Sequence, residues 1–159
     1  MRVFIKNKLV SLGGSSTVKN DMQQDVYFVK GKVISPTKKK KICDLKGNVL
    51  YTVRNKWFRL FSYKAFIKDA DNKKIACIRR GLFNYKKFDI EGYKDEISIQ
   101  GEFFSLRSQI VRNGVVVGTI DRQFTLVQDA FCLEGAEQDM PFLIALVIGI
   151  DNITDRARK

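Results

Sequence analysis

The residues best equipped for chemistry in this chain are cations. Lys38-Lys39-Lys40-Lys41 is an unbroken run, with Lys30, Lys32, Arg54, Lys56 and Arg59 close by in sequence. Ammonium and guanidinium groups gathered on one surface attract phosphates, and a polybasic segment gains about 1 kcal/mol per Lys or Arg near an anionic bilayer. The expected anionic-ligand patch is Lys38, Lys39, Lys40, Lys41, Arg54, Lys56 and Arg59, with Arg79-Arg80 and Lys86-Lys87 as secondary patches. A strand would turn alternate lysines of the run to opposite faces, leaving half of them on any one surface. The plainer alternative is a solvated run that serves solubility or blunts strand edges.

Aromatic residues interleave with this charge in Trp57-Phe58-Arg59-Leu60-Phe61 and in Leu82-Phe83-Asn84-Tyr85. Arg beside exposed rings can stack bases or seat lipid headgroups. Strand ends also supply core and belt aromatics, and that is the preferred reading here. No RNP, KH, zinc-finger or helix-turn-helix pattern is present, so specific nucleic-acid binding is not expected.

Catalytic chemistry has little to work with. The chain has 159 residues and no histidine, which removes Ser-His-Asp and Cys-His catalysis and His-metal sites. Asp69-x-Asp71 matches the opening of a calcium loop, but Lys74 and Arg80 stand where that loop needs Gly and Glu. Gly13-Gly14-Ser15-Ser16 lacks the spacing and the lysine of a phosphate-binding loop. Asp151 and Asp155 have the i, i+4 spacing of an acid/base pair, yet read better as the solvated end of a helix. Cys43, Cys77 and Cys132 form no CxxC and read as reduced core thiols. No catalytic residue, metal or cofactor is expected.

The charge is unevenly spread. Formal net charge is +12, but residues 1–94 hold 23 Lys/Arg and 7 Asp/Glu, a net +16, whereas 95–159 hold 6 and 10, a net −4. Such a field concentrates anionic partners: acidic lipid headgroups or an acidic protein.

The elements that must carry these residues are mostly short strands. Four hairpin-like units recur. Val18-x-Asn20 precedes Val26-x-x-Val29, Ile42-x-Asp44 precedes Leu50-x-x-Val53, Ile67-x-Asp69 precedes Ile75-x-x-Ile78, and Ile110-x-Arg112 precedes Val117-x-x-Ile120. Each pairs two apolar segments across a turn rich in Asn, Asp or Gly. The i, i+3 spacing breaks period-2 alternation and implies either a bulge or a strand apolar on both faces. Arg2–Leu9, Tyr85–Glu91, Glu96–Phe103, Phe124–Val127 and Ala130–Glu134 complete a set of about twelve strands, the pattern of a barrel or sandwich.

The chain then changes character. Met140 to Ile150 is apolar throughout, with Asp139 as the expected N-cap and Pro141 tolerated in the first turn. Eleven helical residues span only about 16 Å, too little for a bilayer. A helix apolar on every side must therefore be buried in protein, and a twelve-stranded barrel is wide enough to hold one. The expected fold is mainly β: a closed antiparallel barrel around a buried hydrophobic C-terminal helix. It would be one domain over 1–159, with strands within 2–134 and the helix at about 139–150.

On six segments the chain resembles bacterial members of the LURP-one-related family, within the Tubby C-terminal-like superfamily. They are LVSLGG (Leu9–Gly14), VYFVKGKVIS (Val26–Ser35), ICDLKGNVLYTV (Ile42–Val53), FDIEG (Phe88–Gly92), IQGEFF (Ile99–Phe104) and FLIALVIGID (Phe142–Asp151). The resemblance implies the same twelve-stranded barrel around a C-terminal helix. Tubby-like domains bind phosphoinositides through basic surface residues, phospholipid scramblases are relatives, and plant members are linked to defence. No lipid-binding motif of that superfamily aligns here, so the resemblance transfers no site residue.

The expected function is a non-catalytic binding module docking to anionic phospholipid or phosphorylated ligands. The alternative is a structural or protein-interaction domain whose charge serves solubility or an acidic protein partner. The expected location is cytoplasmic, peripheral at the membrane if lipid is the ligand, and not transmembrane.

Overall fold

One polar side chain shapes each of three repeated turns. Asn20 Oδ1 accepts the Gln24 amide at 3.0 Å, Asp44 Oδ1 the Asn48 amide at 2.8 Å, and Asp69 Oδ1 the Lys73 amide at 2.9 Å. The left-handed residue that each turn requires is Gln23, Gly47 and Asn72 in turn, with φ of 60°, 89° and 65°. In the fourth unit Asn113 and Gly114 both have positive φ, which makes a two-residue turn.

The computed structural model describes residues 1–6, 14–32, 34–57, 63–81, 87–101, 107–123 and 130–157. In chain order the strands are β1 (Arg2–Lys6), β2 (Ser16–Asn20), β3 (Asp25–Gly31), β4 (Lys40–Cys43), β5 (Val49–Asn55) and β6 (Lys64–Lys68). Then follow β7 (Lys74–Arg80), β8 (Phe88–Glu91), β9 (Ile97–Gly101), β10 (Arg107–Arg112), β11 (Val115–Gln123) and β12 (Ala130–Gly135). Each pairs antiparallel with its sequence neighbour, and β1 pairs with β12, so the sheet closes. Closure leaves no strand edge. The expected strand Phe124–Val127 lies outside the described residues.

The i, i+3 spacing is a bulge. Register shifts occur after Val18, Ile42, Ile67 and Ile110, the same point in all four hairpins. The extra residues are Val26, Leu50, Ile75 and Val117, each the first member of its i, i+3 pair. Val26, Ile75 and Val117 thereby pack against the core although they are out of phase with the strand.

After a single 3₁₀ turn (Glu137–Asp139), helix α1 (Met140–Ala157) runs back through the barrel. Leu143 to Val147 are completely buried, which an enclosing wall permits and a one-sided packing would not. Two glycines let helix and wall approach. A Cβ on Gly149 would collide with Ile78 Cδ1, and one on Gly135 would lie 2.7 Å from Leu143 Cδ1.

Two expectations for the helix are corrected. Asp139 does not cap it: its carboxylate instead accepts from Arg112 Nη1 at 2.9 Å. Nor do Asp151 and the following residues end it in solvent. Asp151, Asn152 and Thr154 are buried, and the helix continues to Ala157. The extension is stabilised by partners distant in sequence: Asn55 Nδ2 donates to the Asn152 carbonyl and Asn152 Nδ2 to the Lys38 carbonyl, both at 3.2 Å.

Candidate anion-binding surface

The alternation rule sorts the lysine run. Lys40 sits opposite Val53 on β5 and Gly31 on β3, in phase with buried Ile42, so it points inward and is 1% exposed. Its Nζ donates to the Gly14 carbonyl at 3.2 Å. Burial lowers its pKa from the ordinary value, and Lys38 lowers it further. Lys40 therefore leaves the expected surface patch. Like Asn55 and Asn152, it is a polar side chain buried in the barrel.

Lys41 takes the opposite phase and is exposed. It lies opposite Lys30 on β3 and Thr52 on β5, and Thr52 lies opposite Lys68 on β6. Lys30, Lys41 and Lys68 thus share one row on the outer face, broken only by the small hydroxyl of Thr52. Adjacent strands are about 4.8 Å apart, so the row spans about 14 Å. Lys68 Nζ is steadied by Asn72 Oδ1 at 3.0 Å.

Arg54 lies one row nearer the end where β5 stops, opposite Phe66. Beyond it Lys56, Lys64 and Lys74 border a surface cleft of about 310 Å³ lined also by Phe66, Cys77 and Glu91. Lys74 Nζ lies 5.6 Å from the centre of the Phe66 ring. Burial raises the Cys77 thiol, so it is not tuned as a nucleophile.

Lys38 and Lys39 lie in the turn before β4. Lys38 is half-buried with a φ of 47°, and Lys39 is exposed, its amide donating to Ser35 Oγ at 3.1 Å. The Asn55 amide donates to the Thr37 carbonyl at 2.7 Å, which brings this turn beside Lys56 and Trp57. Arg59 and Lys86 lie outside the described residues. Of the secondary patches, Arg79 is neutralised by Glu91 at 3.1 Å, whereas Lys87 is exposed.

Ion pairing divides the barrel. Among the described residues Lys30, Lys39, Lys41, Arg54, Lys64, Lys68 and Lys74 make no ion pair. On the far wall Arg2 meets Glu134 at 3.2 Å, Arg107 meets Asp121 at 3.4 Å and Arg112 meets Asp139 at 2.9 Å.

Sequence reasoning missed Lys64, Lys68 and Lys74 because they lie on β6 and β7, in strands apart from the lysine run. The available signal was phase: Lys64, Phe66 and Lys68 alternate with buried Ala65 and Ile67, so all three face outward. Trp57 was expected in a core or belt, yet it is 64% exposed. Among the described residues no three His, Cys, Asp or Glu side chains gather to hold a metal, and no helix is long and apolar enough to cross a membrane.

A family model described as LURP-one-related matches residues 1–151. Among solved structures, the X-ray structure of a protein from Arabidopsis thaliana superposes with a TM-score of 0.63 at 16% identity, over 96% of this chain and 91% of the plant chain. At that identity the likeness is one of fold. No curated protein matches the chain.

Proposed function

We propose that this chain, which belongs to the LURP-one-related family, is a non-catalytic binding module that docks to phosphate-bearing anions, above all phospholipid headgroups, through its basic outer wall. The observation that carries the reading is the row Lys30–Lys41–Lys68 on the outer faces of β3, β4 and β6, which has no carboxylate partner among the described residues. Three ammonium groups near an anionic surface contribute about 3 kcal/mol. That is a weak attachment, strongest at low ionic strength, where the screening length is longest. Lys40 does not take part, being inside the barrel.

Vesicle flotation tests the reading. The protein is expected to float with phosphatidylserine-containing vesicles at low salt, less at high salt, and not with neutral phosphatidylcholine vesicles. The variant K30Q/K41Q/K68Q should lose that binding while keeping its thermal stability. Failure of the unaltered protein to bind any anionic vesicle overturns the proposal and leaves the protein-interaction alternative.

A further inference from the structure

Strands β3 and β5 run toward the same end of the barrel, and the chain leaves both there with an exposed apolar residue. Ile34 is 88% exposed and Trp57 is 64% exposed. The hydrogen bond from the Asn55 amide to the Thr37 carbonyl ties the two departing segments together. Lys32, Lys39 and Lys56 are exposed beside them. Across residues 26–68 the only acidic residue is Asp44, and it lies in a turn at the opposite end.

The opposite end also exposes apolar groups, Met22 and Leu45 among them. Its turns, however, carry Asp21, Asp44, Asp69, Asp71, Asp95 and Glu96 against three lysines, Lys46, Lys73 and Lys94, a net negative set that an anionic surface repels. An indole ring and an aliphatic side chain within a crown of lysines match the boundary between acyl chains and headgroups, where tryptophan is enriched and lysine meets phosphate.

We infer that this protein docks end-on and tilted toward its basic wall, with Ile34 and Trp57 entering the interface of an anionic bilayer, Lys32, Lys39 and Lys56 lying against its headgroups and Lys30 and Lys41 next to them. The inference rests on the headgroup reading above and adds the second, apolar signal that firm peripheral attachment needs beyond charge. The occupant is a bilayer: a free phosphate would use the lysines and leave both apolar side chains in water.

Trp57 is the sole tryptophan, so its emission reports this end alone. With phosphatidylserine-containing vesicles its fluorescence should shift to the blue and be quenched by brominated acyl chains. I34S and W57S should each lower the vesicle partition coefficient about tenfold at fixed low salt, and M22S/L45S should leave it unchanged. Thermal melting of each variant separates lost docking from lost fold. Flotation with anionic vesicles without any shift or quenching overturns the end-on geometry and leaves the headgroup reading standing. The same holds if M22S/L45S, rather than I34S or W57S, abolishes binding. Absence of flotation overturns both.

Discussion

The two ends of the barrel use polar residues differently. At the end of the repeated turns, carboxylates and amides are committed to local structure: Asp44 and Asp69 close their own loops, and Asp139 holds Arg112 where the helix enters. At the other end, Lys32, Lys39 and Lys56 occupy exposed positions, and inside it the Asn152 side chain donates to the Lys38 carbonyl while its carbonyl accepts from Asn55. The first arrangement spends charge on shape. The second leaves charge exposed to solvent and ligand, which is what a docking surface requires.

That contrast can be broken most forcefully through the helix both ends share. Gly149→Val forces side-chain atoms into Ile78 and Val53, and overpacking of a filled core should cost about 3 kcal/mol in chemical denaturation. Hydrogen exchange should show protection falling first near Asn55 and Asn152, with the turn end following. A uniform loss would mean the ends are not separable.

Asp139→Ala tests the turn end alone. Arg112 and Asp139 side chains are only 19% and 21% exposed, so removing this 2.9 Å partner and leaving only Asp95 at 3.9 Å should cost about 2 kcal/mol. Vesicle binding should not change.

Lys40→Met tests the interior of the other end. The variant loses the Nζ donor to the Gly14 carbonyl and should be less stable by about 1 kcal/mol at neutral pH. Because burial holds the folded pKa below 10.5, the unfolded chain binds the extra proton. Wild-type stability should therefore rise with pH between the lowered folded value and about 10.5, a rise the variant should lack. Denaturation of both proteins at neutral and alkaline pH measures this, and vesicle binding should again be unaffected.

The sequence carried the architecture because its strongest signals are local. Eleven apolar residues from Met140 to Ile150 are too short to span a bilayer, which left enclosure by a sheet. The turn residues at Asn20, Asp44 and Asp69 located their hairpins directly. The i, i+3 spacing detected an irregularity without identifying it, because a bulge is defined by the partner strand. The candidate site was less legible for the same reason. Lys40 and Lys41 are adjacent and chemically alike, and only the phase set by Ile42 sends one inside. The row Lys30–Lys41–Lys68 exists only through pairing among separate strands. Helix extension past Ile150 depended on Asn55 and the Lys38 carbonyl, 97 and 114 residues before Asn152.

Closure by β1 and β12 also bears on how the chain reaches this structure. Arg2 and Glu134, which meet in that seam, are 132 residues apart in sequence. A ribosome releasing the chain from its N-terminus must deliver β12 before the seam can form, and the apolar helix it encloses emerges later still. Any sheet formed earlier would have two bare edges and an empty lumen. Folding should therefore be slow and all-or-none, and the interval before release is when the chain most needs protection from aggregation.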